Sequence, residues 1–119
     1  VLAAQIDGAS IWTIEGVTPS GRQVVKTRLL RDSTLTSGRD LHPVQRAFLE
    51  CDAVHCGFCS PGMVMSTLAL LLRNRSPQNN NIKAALAGNL CRCTGYIQII
   101  EAVKLAAASI TNADMEKFK

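Results

Sequence analysis

The segment CDAVHCGFCSPG, residues 51–62, holds three cysteines, and a further two follow in CRC, 91–93. Cys56 and Cys59 form C-x2-C, and Cys91 and Cys93 form C-x-C. Each pair stands just ahead of a stretch with helical periodicity. Amides at a helix start are unpaired and carry partial positive charge. Two such starts aimed at one point suit an anion, and four thiolates around metal are strongly anionic. The spacing therefore predicts a four-thiolate metal site on Cys56, Cys59, Cys91 and Cys93. It leaves the metal open, because zinc accepts four cysteines and so does a two-iron, two-sulfide cluster. Gly57 and Gly62 let backbone come close, and Phe58 is placed to keep water off a sulfur.

Cys51 offers a competing choice, since Cys51, Cys56 and Cys59 make C-x4-C-x2-C, a plant-type ferredoxin spacing. It falls, however, on the apolar face of the helix expected from Pro43 onward, in register with Val44, Ala47 and Phe48. A buried free cysteine is an ordinary core residue. That choice would also strand Cys91 or Cys93 beside the metal without a role.

From residue 41 the pattern is helical. Asp40 is expected to cap the first helix. A second helix runs from near Pro61 to near Asn74, with Val64, Leu68, Leu71 and Leu72 on its core face. Pro77 and the asparagines 79–81 read as a loop. A short helix over 81–87 carries Ile82, Ala85 and Leu86, and Gly88 suits its end. Thr94 is expected to cap a fourth helix with Ile99, Val103 and Ala107 inward. The fold class expected is mostly α, a four-helix bundle over 41–110, followed by a polar, fraying tail, 111–119. Upstream, 1–17 reads as strand, turn, strand, with Asp7-Gly8 as the turn and Ile11 and Thr13 in a β-rich run. Two such strands are unstable alone. Residues 18–40 carry Arg22, Lys26, Arg28, Arg31 and Arg39 and read as a basic linker or insertion, or a strap for an acidic partner.

Composition narrows the function classes. The 119 residues are 47% apolar and 4% aromatic, with a formal charge of +4. That fills one hydrophobic core without disulfides. It lacks the dense basic stripe or stacking aromatics of a nucleic-acid binder. GMVMSTLALLL, 62–72, falls short of a bilayer span, so no membrane insertion is expected. The sequence opens on Val1 rather than Met, and its start shows neither the charged segment nor the long apolar run of a signal peptide, so the chain reads as processed or truncated with its upstream part missing. Clustered cysteines without such a signal point to a reducing, cytoplasmic setting.

HCGFCSPGMVMS (55–66), GNLCRCTGY (88–96) and TIEGV (13–17), in this order, resemble the iron–sulfur subunit or domain of the xanthine oxidase family of molybdenum hydroxylases. The resemblance implies a [2Fe–2S] cluster on Cys56, Cys59, Cys91 and Cys93. It also implies that Cys93 contacts the pterin of a molybdopterin-type cofactor held by a molybdenum-binding large subunit. Electrons would pass from molybdenum through this cluster to a second one, then to FAD in a medium subunit. The second cluster belongs to a preceding ferredoxin-like (β-grasp) domain, of which 1–17 would be the last strands. Three departures stand out. His55 occupies the place of a pterin-contacting Gln, Asp52 that of a helix-ending Gly, and 18–40 exceeds the family's usual link.

The function expected is electron transfer within an oxidoreductase complex, without catalysis by this chain alone, since no acid, base or nucleophile for substrate chemistry is evident. The alternative is a zinc-stapled interaction module using the same cysteines. His42 reads as a surface group at a helix start. Arg92 reads as an exposed charge that could tune the centre or meet a partner. Met63 and Met65 read as packing rather than ligands.

Overall fold

A computed structural model describes residues 8, 11–18, 41–116 and 118. A 3-10 turn, Ile14–Gly16, precedes five helices: α1 (Pro43–Glu50), α2 (Ser60–Arg73), α3 (Asn79–Leu86), α4 (Ile97–Ser109) and α5 (Asn112–Glu116). Among the described residues there is no strand, so the mostly α expectation holds. The strand expected through Ile11 and Thr13 does not. Residues 11–13 are irregular, the next three form the 3-10 turn, and Val17 is fully buried against the helices. A β-prone run without a paired edge has no ladder to join, and burial of Val17 decides its path instead. Residues 1–7, 9 and 10, Asp40 and the five basic residues of 18–40 lie outside the described residues.

His42, not Asp40, is the observed cap of α1. Its Nδ1 accepts from the Val44 amide at 3.3 Å, and its own amide donates to Gln45 Oε1 at 3.0 Å. Pro43 occupies the first helical position, where its missing N–H costs nothing. With Nδ1 accepting, Nε2 carries the proton and donates to the Asp114 carbonyl at 3.2 Å. Both ring nitrogens thus find partners inside, and His42 is 1% exposed rather than on the surface.

The end of α1 sets up everything downstream. Asp52 takes the left-handed conformation, φ 51. Its amide donates to Leu49 O at 3.2 Å, and that of Ala53 to Phe48 O at 2.9 Å. This is a Schellman closure, with buried Ala53 and Phe48 supplying its apolar contact. An aspartate fills the place a glycine would suit better.

α2 buries Met63, Val64, Thr67, Leu68 and Leu71. The Thr67 hydroxyl is satisfied by donating to the Met63 carbonyl at 2.8 Å. Leu72, expected inward, is off that stripe and exposed. The asparagine run opens α3 rather than forming a loop, because Asn81 Oδ1 accepts the Gln78 amide at 3.0 Å and so offers a cap. α3 contributes Ile82 and Leu86, and α4 contributes Ile99, Ala102, Val103 and Ala106, to the core. The alanines let α4 lie close on α1, the most extensive helix pair, while α2 packs on α1 and α3. Part of the tail expected to fray is helical. Thr111 and Asp114 cap each other, amide to Oδ2 at 2.8 Å and amide to Oγ1 at 3.4 Å, and Met115 is buried. Among the described residues, no helix is long and apolar enough to cross a membrane.

Candidate metal centre

Two loops meet at one end of the helices: 51–59, between α1 and α2, and 87–96, between α3 and α4. Together they line a cleft of about 90 Å3 that contains Cys56, Cys59, Cys91 and Cys93. The thiols act on one another across the two loops: Cys56 and Cys93 shift each other's ionisation, as do Cys59 and Cys91. Among the described residues, no three His, Cys, Asp or Glu side chains converge as a single metal ion would require. Cys91 also bears on Cys56 and Cys93, so the four sulfurs form one electrostatically linked group at the cleft. Cys51 stands apart, half-buried against the core, where burial pushes its thiol up.

Each sulfur meets a different environment. The Thr94 hydroxyl donates to Cys91 Sγ at 3.1 Å and its amide at 3.3 Å. These donors favour the thiolate and hold Cys91 at about 7, from an ordinary 9.0. The Phe58 amide likewise lowers Cys56. Burial raises Cys59, and the neighbouring Cys56 raises Cys93.

The loops are held by residues the spacing of cysteines does not reveal. Gly62, in the first turn of α2, lies so close to Asn89 that an added Cβ would overlap Asn89 Oδ1. The Asn89 amide group donates to Ser66 Oγ at 2.7 Å, clamping the second loop to α2. Tyr96 caps α4 in the left-handed conformation, φ 65. Its hydroxyl accepts from the Cys91 amide at 2.8 Å and donates to the Asn89 carbonyl at 3.3 Å. Thr94 is therefore not the cap of α4. Its Oγ1 accepts the Tyr96 amide at 3.3 Å while its proton goes to the sulfur. α4 begins at Ile97, so the second pair sits in a loop ahead of the helix, not at its start, and loop amides take the place expected of helix amides. Cys59 does stand at the N-cap of α2. A threonine three residues after a loop cysteine was the signal available for Thr94.

Charge favours an anion here. Between Ala53 and Ile100 the sequence contains no Asp or Glu, only Arg73, Arg75, Lys83 and Arg92 as charged side chains. Arg92 and His55 are exposed on the rim of the cleft. Phe58 does not shield a sulfur, being 92% exposed, and Leu90 is 84% exposed. Met63 is buried in the core, and neither it nor Met65 lines the cleft.

Residues 30–104 match the [2Fe-2S] binding domain family. The chain is 39% identical over 112 residues to the nicotinate dehydrogenase small FeS subunit of Eubacterium barkeri, covering 94% of this chain and 60% of that one. It is 38% identical over 112 residues to aldehyde oxidase 4 of Cavia porcellus, of which it spans 7%. The crystal structure of quinoline 2-oxidoreductase from Pseudomonas putida 86 superposes with a TM-score of 0.56 at 37% identity, covering 62% of this chain and 47% of that one. Paired thiols on two braced loops and a match over most of the helical region agree: this chain belongs to the [2Fe-2S] binding domain family.

Proposed function

We propose that this chain is the electron-transfer iron–sulfur component of a molybdenum hydroxylase, and that Cys56, Cys59, Cys91 and Cys93 hold its [2Fe–2S] cluster. The observation that carries this reading is the convergence of four cysteines, two from each loop, on one cleft. A two-iron centre takes four protein sulfurs, and Cys56, Cys59, Cys91 and Cys93 supply them. The donor set fits in chemistry too: four soft sulfurs, amides and a hydroxyl aimed at them, and no carboxylate in 53–100. When bound, the cluster supplies reversible one-electron storage.

The residues of the chain then have distinct tasks. Gly62, Asn89 and Tyr96 fix the separation of the loops. The Thr94 and Phe58 donors offset negative charge on sulfur. Cys93 and His55, both exposed at the mouth, are placed to face the pterin of a molybdenum-binding large subunit. The onward route runs to a second [2Fe–2S] cluster and to FAD in a medium subunit. We divide the chain accordingly: 1–17 as the end of a ferredoxin-like domain, 18–40 as a basic link, 41–110 as the cluster-binding four-helix unit, and 111–119 as its tail. Substrate chemistry belongs to the partner.

Anaerobic purification tests the reading. The chain is expected to be brown, to contain two irons and two sulfides, and to give a paramagnetic signal on reduction. Cys93→Ser should damage both the cluster signal and electron entry in the assembled enzyme. Colourless protein carrying stoichiometric zinc would instead identify a zinc-stapled module, a reading that the match to a [2Fe-2S] binding domain does not favour.

A further inference from the structure

We propose that Thr94 is a positioning residue that sets the electron affinity of the centre through Cys91; this rests on the cluster reading above. Cys91 Sγ is the acceptor of two hydrogen bonds from one residue, the hydroxyl at 3.1 Å and the amide at 3.3 Å. The hydroxyl is not free to turn away. Its oxygen accepts the Tyr96 amide at 3.3 Å, which leaves its proton directed at the sulfur. Tyr96 is itself locked by two bonds through its own hydroxyl, to Cys91 and Asn89. The result is a closed ring of contacts, Cys91 to Thr94 to Tyr96 and back to Cys91, in which the hydroxyl position is over-determined.

Such a bond acts unequally on two redox states. A donor aimed at a metal-bound sulfur offsets negative charge, and reduction adds one more negative charge to the centre. The bond is therefore stronger after reduction, and the reduction potential rises. The step is the gain of one electron from a one-electron titrant, which is oxidised by the same amount. No covalent bond changes, and the Thr94 hydroxyl keeps its proton.

The test is a potentiometric titration of reconstituted protein followed by electron paramagnetic resonance. Thr94→Val keeps the shape and the amide but removes the hydroxyl. It is expected to weaken reduction by about tenfold in equilibrium constant, equivalent to about 59 mV more negative for one electron. Thr94→Ser, which keeps the hydroxyl, is expected to stay near the wild type, and this rescue separates hydrogen bonding from packing. If Thr94→Val fails to assemble, Thr94→Ala, which also lacks the hydroxyl and keeps the amide, takes its place. Exchange into deuterium oxide should give coupled deuterons from both hydroxyl and amide in the wild type and in Thr94→Ser, and only the amide's in the variant without the hydroxyl. A brown Thr94→Val or Thr94→Ala protein with an unchanged potential, or no hydroxyl deuteron in the wild type, overturns the proposal and leaves the cluster reading intact. A wild-type chain that takes zinc and no iron overturns both.

Discussion

The contact between Gly62 and Asn89 gives the sharpest test of how the two loops are held. A methyl at position 62 would overlap Asn89 Oδ1. Asn89 cannot yield without giving up its bond to Ser66, a loss of about 1 kcal/mol. Residual crowding adds about 1–3 kcal/mol. Against this, alanine in place of a helical glycine stabilises by about 1 kcal/mol. Gly62→Ala is therefore expected to destabilise the chain by about 1–3 kcal/mol, a fall in Tm of roughly 4–8 °C for each kcal/mol. Asn89→Ala alone should cost about 1 kcal/mol. With Asn89 truncated the methyl has room, and Gly62→Ala should become neutral or stabilising by up to about 1 kcal/mol. Thermal unfolding of the four metal-free proteins reads this as a double-mutant cycle. Iron retention after reconstitution should follow the same order, lowest in Gly62→Ala. Additive Tm shifts, with Gly62→Ala harmful to the same extent in both backgrounds, would refute the idea that this contact sets the loop separation.

Other expectations follow from the same geometry. Asp52→Gly should stabilise by about 1 kcal/mol, because glycine has no steric objection to φ 51; an unchanged or lower Tm counts against the Schellman closure. Tyr96→Phe removes the partner of the Cys91 amide and of the Asn89 carbonyl, and should cost about 1–3 kcal/mol with faster loss of iron to a chelator. In the metal-free chain, Cys91 should reach half its maximal alkylation rate near pH 7, while Cys59, raised by burial, needs a higher pH. The sign follows from the folded thiol being lowered: the thiolate-stabilising bonds from Thr94 act above that pH and are lost as pH falls through it. Mass spectrometry of the labelled residues checks the order, and equal profiles for the two thiols would contradict it.

Much of the helical region could be read from residue pattern, because its apolar period is clean and Pro43, Asn74 and Cys59 mark boundaries through local chemistry. The two tight cysteine pairs stand out in the sequence for the same reason, and the fold brings them to one cleft. What escaped was set by tertiary contact. Ile11 and Thr13 look like strand, but Val17 is drawn into a helical core. His42 looks like a surface group until α5 supplies a carbonyl for its second nitrogen. The asparagine run looks like a loop until one of its side chains is seen capping. Thr94 fits a helix cap by type, yet Tyr96 stands at that place, and Thr94 Oγ1 accepts the Tyr96 amide while donating to the sulfur three residues back. Asn89 and Tyr96 lie within GNLCRCTGY, but their roles appear only when two distant loops are brought together.

Phe58 and Leu90 stand almost wholly in water at the lip of the thiol cleft, and this governs the life of an uncomplexed copy. On the function proposed above, oxygen, a chelator and a delivering protein would reach the thiols by the mouth these side chains flank, so loading would be easiest before assembly and the load least protected then. Stripping kinetics should slow sharply once a second protein seals that lip, and the two wet apolar side chains are where the seal would first take hold.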